Sequence, residues 1–102
     1  MKIKDSTVSV DGLQAPMLHA CAVVDEIYLK ISRHEVTLTS AKDGKHSDES
    51  LHYRGLACDF RNRDVSPDEF ILIHAQVKVA LPAPYQIIIE KTHMHIEYDL
   101  KG

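Results

Sequence analysis

The sequence predicts an α+β fold, a small antiparallel sheet flanked by two helices, in a single domain spanning residues 1–102. Three observations carry that reading. Two segments repeat apolar residues at three- and four-residue spacing, as helices do. The other apolar segments are short, β-branched and alternating, as strands are. The last two of these strands follow one another directly, which favours antiparallel pairing over a parallel α/β sheet.

Taken in order, residues 1–12 are polar, with a weak alternation at Val8 and Val10. They read as a short strand or extended arm ending at the Asp11–Gly12 turn. Pro16 opens a helix running to about Arg33, with Met17, Cys21, Val24, Ile27 or Tyr28, and Ile31 on one stripe. His19 and His34 fall off that stripe and read as solvated. "HEVTLTS" alternates Val36 and Leu38 with threonines and suits a strand. "AKDGKHSDES" is a polar loop with an Asp–Gly turn, and "LACDF" a short strand. Ser66-Pro67-Asp68-Glu69 starts a second helix. Serine is the N-cap, proline takes the first turn, and Glu69 closes a capping box. Phe70, Ile73, Val77 and Ala80 or Leu81 form its buried stripe, with His74 beside it as a hydrogen-bonded helix histidine. "LPAP" ends the helix. "YQIIIE" and "THMHIEYDL" are the last two strands.

Composition bounds the function. A 102-residue chain can bury a small core. With 44% apolar and 26% charged residues it is not a disordered segment. A net charge of -3 offers no basic excess for nucleic acid or an anionic membrane. No stretch is long enough to span a bilayer. Cys21 and Cys58 have no metal-type spacing and read as buried, reduced thiols. "MKIKDSTVSVDG" lacks the apolar core of a signal peptide. Synthesis in a cytoplasm without Sec export is therefore expected, and any action on a cell wall would need release of the protein or carriage in a virion.

Seven histidines are many for this length, and their positions decide what they mean. In the last strand His93, His95, Glu97 and Asp99 share one face, and Met94, Ile96, Tyr98 and Leu100 share the other. The polar face is either solvated surface or chemistry. Glu90 stands where the preceding strand turns into this one, either as a carboxylate with a functional pKa or as an ordinary hairpin residue. Earlier, His52 precedes a turn at Gly55 and Asp59 follows it, with Ala57 on the face of Asp59 and Cys58 turned away. A histidine and an aspartate so placed can converge on one point. With a histidine from the last strand they make His/Asp/His, and three protein ligands with one open position is the form of a catalytic zinc site.

These residues resemble a known superfamily. Ser50-Leu51-His52-Tyr53-Arg54-Gly55-Leu56-Ala57-Cys58-Asp59 is similar to the S-x-H-x-x-G-x-A-x-D motif of zinc D-Ala-D-Ala carboxypeptidases. The same motif occurs in the related dipeptidases, the phage L-Ala-D-Glu endolysins and the hedgehog signalling domain. Lys45-His46-Ser47-Asp48-Glu49-Ser50-Leu51-His52-Tyr53 is especially similar to the hedgehog version. Glu90-Lys91-Thr92-His93-Met94-His95 resembles the second motif, an acid followed by H-x-H, and the likeness spans roughly residues 36–99.

The resemblance implies a hedgehog/DD-peptidase-like fold and one zinc per chain held by His52, Asp59 and His95. His93 is the alternative third ligand. Glu90 would be the general base, with His93 and His46 beside the metal steadying water or oxyanion. The implied substrate is a peptidoglycan stem peptide, cut by a carboxypeptidase or endopeptidase, in a small monomeric protein of phage or prophage type. A hedgehog-like zinc module that binds a partner without catalysis is the competing implication. Relatives usually hold substrate with an arginine in an S-G-x-R-like segment. The corresponding stretch here, Thr39-Ser40-Ala41-Lys42-Asp43-Gly44, has none. Lys42, Ser50 and Arg54 are therefore the candidates for holding substrate. Lysine lacks the guanidinium's bidentate fork, which shifts weight toward an endopeptidase or an unusual substrate.

Overall fold

The computed structural model describes residues 1–41 and 54–100. In chain order these form β1 (Lys2–Ile3), α1 (Ala15–Ser32), β2 (Thr37–Ser40), β3 (Ala57–Arg61), α2 (Pro67–Ala80), β4 (Tyr85–Ile89) and β5 (His93–Tyr98). The result is a small α+β domain. Its five-stranded sheet has the order β1-β2-β3-β5-β4.

Both helices form where the spacing predicts them. Pro16 lies in the first turn of α1, and Met17, Ala20, Cys21, Val24, Ile27 and Tyr28 are its buried stripe. Arg33 ends α1 in the left-handed conformation, its N–H donating to the Leu29 carbonyl at 3.0 Å. The capping box of α2 is complete. The Glu69 N–H donates to Ser66 Oγ at 3.2 Å, and the Ser66 N–H donates to Glu69 Oε1 at 2.9 Å. Ile73 and Val77 are buried beneath it, with Leu81 just beyond. His74 departs from expectation. It stacks on Phe70, and its Nε2 is buried with no hydrogen-bond partner among the described residues.

The sheet is mixed rather than purely antiparallel. β1 runs parallel to β2, with Lys2 opposite Thr37 and Ile3 opposite Leu38. Parallel neighbours need a crossover, and α1 supplies it. This first strand also lies earlier than the alternation at Val8 and Val10 suggests. Val8 is buried outside any strand, its N–H bonded to the Asp5 carbonyl. It joins the core as a loop residue, which periodicity cannot distinguish from a strand residue.

The remaining pairs are antiparallel, and their registers align side chains across the sheet. Leu38, Cys58, Phe60, Met94 and Ile96 fall on one face and join the buried residues of α1 and α2 in one core. Cys21 and Cys58 are both buried thiols outside any disulfide, and the Cys58 thiol is hydrogen-bonded with that of Cys21. The opposite face carries Thr37, Thr39, Asp59, Arg61, His93, His95 and Glu97, and among the described residues no helix covers it.

Gly55 fixes how the chain enters β3. Its φ is +71°, and a Cβ there would lie 2.1 Å from the Gly12 carbonyl oxygen. The approach is tight because Gln14 at the start of α1 donates its N–H to the Gly55 carbonyl at 2.9 Å and its side-chain amide to the Arg54 carbonyl at 2.6 Å. Both strain and collision oppose any side chain at this position. Gly55→Ala is therefore expected to cost about 2 kcal/mol or more and to lower Tm by roughly 10 °C, measured by thermal denaturation.

Candidate metal centre

The candidate site is built by two adjacent strands. β3 and β5 pair so that Asp59 stands directly opposite His95, Arg61 opposite His93 and Ala57 opposite Glu97. Alternation then turns all six side chains to the face away from the helices. Phe60 and Cys58 bracket Asp59, and Met94 and Ile96 bracket His95. All four are fully buried and fix the backbone beneath the site.

His95 is the centre of the cluster. Its Nδ1 lies 2.7 Å from Asp59 Oδ1, and its Nε2 lies 2.9 Å from Glu97 Oε1. The three side chains are only 14–18% exposed. Burial pushes the pKa of His95 down, but the hydrogen bonds with Asp59 and Glu97 outweigh it, and the net shift is upward. Asp59 and Glu97 thus bracket the His95 ring, one at each nitrogen. His93 stands further off, its Nε2 3.8 Å from the same Asp59 oxygen and its Nδ1 3.1 Å from the Thr92 hydroxyl. Of the two histidines, His95 is the one engaged with Asp59.

Asp59 and His95 are two of the three expected ligands, and both carry donor types that zinc takes. Imidazole nitrogen and carboxylate oxygen are zinc donors, and two ligands of one tetrahedral ion stand about 3.3 Å apart. The 2.7 Å contact between Asp59 and His95 needs only a small opening to reach that separation. Glu97 holds the second ring nitrogen of His95, as the outer partner of a metal-binding histidine does. Among the described residues no three His, Cys, Asp or Glu side chains gather into a metal-binding group. The third expected ligand, His52, lies outside the described residues, as do His46, Ser50 and Lys42.

Glu90 occupies the β4–β5 turn. Its N–H donates to the His93 carbonyl at 2.9 Å, and the Asn62 side-chain amide donates to its carbonyl at 3.4 Å. Ile88 is opposite His95, so alternation puts Glu90 on the site face, beside His93. Its side chain is exposed. Arg54 is exposed in the turn before β3, at the strand end opposite Arg61. Glu97 is the residue whose role sequence reading missed. Its signal was its place two positions from His95 on one face.

An apolar groove of about 510 Å³, lined by Val23, Ile27, Ala75 and Val79, lies between the helices and away from these groups. No helix among the described residues is long and apolar enough to cross a membrane. In comparisons with known proteins, no family model matches the chain and no curated protein matches it.

The His95 shift has a definite sign. A raised folded-state pKa means that stability from this group is fully present below the unfolded value of about 6.5 and is lost as pH rises through the folded value. Metal-free protein in chelator is expected to melt at lower temperature as pH rises from about 6.5, with the slope flattened in His95→Gln. Thermal melts across pH test this directly.

Proposed function

We propose that this protein is a zinc-dependent peptidase that hydrolyses a peptide bond in bacterial peptidoglycan stem peptides, of carboxypeptidase or endopeptidase type. The observation that carries the reading is the Asp59–His95–Glu97 cluster, with His93 and Glu90 on the same open sheet face. The two sequence motifs supply its remaining parts.

In this reading Asp59 and His95 hold the ion together with His52. Zinc bound there would lower the pKa of water and polarise the scissile carbonyl. Glu90 takes the proton of the attacking water and returns it to the leaving amine. Its backbone is fixed by His93 and Asn62, and its exposed carboxylate is open to substrate. His93 donates from its ring toward the oxygen on which charge develops. Glu97 keeps the His95 ring oriented, and Ala57 keeps the floor beside Asp59 low.

Elemental analysis is expected to find about one zinc per chain, lost in His52→Ala, Asp59→Ala and His95→Ala. Glu90→Ala should keep the zinc and lose about a hundredfold or more of muropeptide hydrolysis. Absence of zinc from the wild type after reconstitution would end the peptidase reading. A second reading, a zinc module that binds a partner without catalysis, draws on the Glu90 side chain, which makes no hydrogen bond among the described residues. Zinc without hydrolysis of any muropeptide would favour it. Glu97→Ala is expected to weaken zinc about 10- to 100-fold in a chelator competition while leaving the fold intact.

A further inference from the structure

Resting on the peptidase reading, we propose that Lys4, Arg61 and Arg63 form the subsite for a free carboxylate of the substrate, directly beside the metal centre. The preferred substrate is then an acidic peptide whose carboxylate lies one or two backbone units from the scissile bond.

A cleft of about 320 Å³ is lined by Lys4, Thr39, Arg61, Arg63, Thr92 and His93. Two separate parts of the chain supply its cations. Lys4 follows β1, Arg61 ends β3 and Arg63 lies just beyond it. None of the six lining residues is acidic, in a chain whose net charge is -3. Lys4, Arg61 and Arg63 make no ion pair among the described residues; Asp5 interacts with Lys4 at longer range, and Arg61 also borders a second cleft with Glu35 and Asp64. Arginine presents a planar fork that matches a carboxylate bidentately, and lysine adds a point charge.

Two contacts fix the cleft against the candidate site. His93 lines it while standing 3.8 Å from Asp59. Thr39 lines it while its hydroxyl donates to the Asp59 carbonyl at 3.2 Å. One residue of extended peptide spans about 3.5 Å, so a carboxylate in the cleft places the adjoining peptide bonds over Asp59 and His95. The Tyr28 hydroxyl, donating to the Arg61 carbonyl at 2.8 Å, ties this end of β3 to α1. The Arg61 end of the open face thus carries these cations beside His93 and Glu90, and Glu97 stands at the other end. These cations occupy the role that the missing S-G-x-R-like arginine has in similar enzymes, from other strands of the sheet.

The test is calorimetric binding of an acetylated D-Ala-D-Ala peptide, as free acid and as C-terminal amide, to the full-length Glu90→Ala chain, in which the peptide is not consumed. The free acid is expected to bind about tenfold more tightly than the amide. Adding Arg61→Gln or Arg63→Gln should abolish that preference without changing amide binding. Arg63 is exposed and outside the strand, so its variant keeps the test valid should Arg61→Gln disturb folding. Arg54→Gln should leave the preference intact. Equal binding of acid and amide, no binding of the acid at millimolar peptide, or a preference abolished only by Arg54→Gln would each overturn the subsite. The peptidase reading fails separately. Acid-selective binding through Arg61 in a protein that holds no zinc and cuts no bond would keep the cleft and discard the enzyme.

Discussion

The facing pair Asp59 and His95 is the constraint around which the site face is arranged. A carboxylate this little exposed is costly unless it is hydrogen-bonded or paired. Asp59 meets that requirement through His95, and His95 meets its own through Glu97. The pairing also sets what else can stand nearby. The residue opposite Glu97 is Ala57, fully buried and small, and the residue opposite His93 is Arg61. Neither sheet edge takes part. The cluster sits on β3 and β5, each of which has a neighbour on both sides in the strand order. Geometry held by a ladder is more constrained than geometry held by a loop, as a metal site demands.

The two helices contribute at a distance. Tyr28 is almost wholly buried in α1, yet its hydroxyl reaches the Arg61 carbonyl, where β3 ends and the cationic cleft begins. Gln14 at the other end of α1 holds the carbonyls of Arg54 and Gly55, where the chain approaches β3. A single helix therefore braces both ends of the strand that carries Asp59. The core supplies the rigidity, and the polar face uses it.

Local patterns were legible in the sequence. The α1 stripe, the Ser66–Glu69 capping box and the alternation of the last strand depend only on residues a few positions apart, and each appears where its spacing puts it. Asp59 and His95 were also named, and the structure brings them together. What depends on strand order could not be read in advance. The pairing of Lys2 and Ile3 with β2 joins segments more than thirty residues apart, and its parallel sense follows from the crossover of α1. Lys4 and Arg61 look like scattered surface cations until the sheet order brings β1 near the end of β3. Glu97 was seen on the right face, but its bond to the His95 ring is a matter of side-chain geometry. His74 was misjudged because position beside a helical stripe does not reveal which of its ring nitrogens finds a partner.

The strict alternation along β3 and β5 has a consequence for how this chain can change over generations. On both strands odd-numbered residues face the site and even-numbered ones face the core. Apart from the fully buried Ala57, substitutions at the odd positions can exchange one chemistry for another while the packing beneath stays as it is. Insertion or deletion of one residue within either strand would send Asp59 or His95 inward and a core residue outward, losing fold and chemistry in the same event. New specificities are thus open to this sheet face by replacement of side chains and closed to it by changes in strand length, leaving the connections between strands as the place where length can vary.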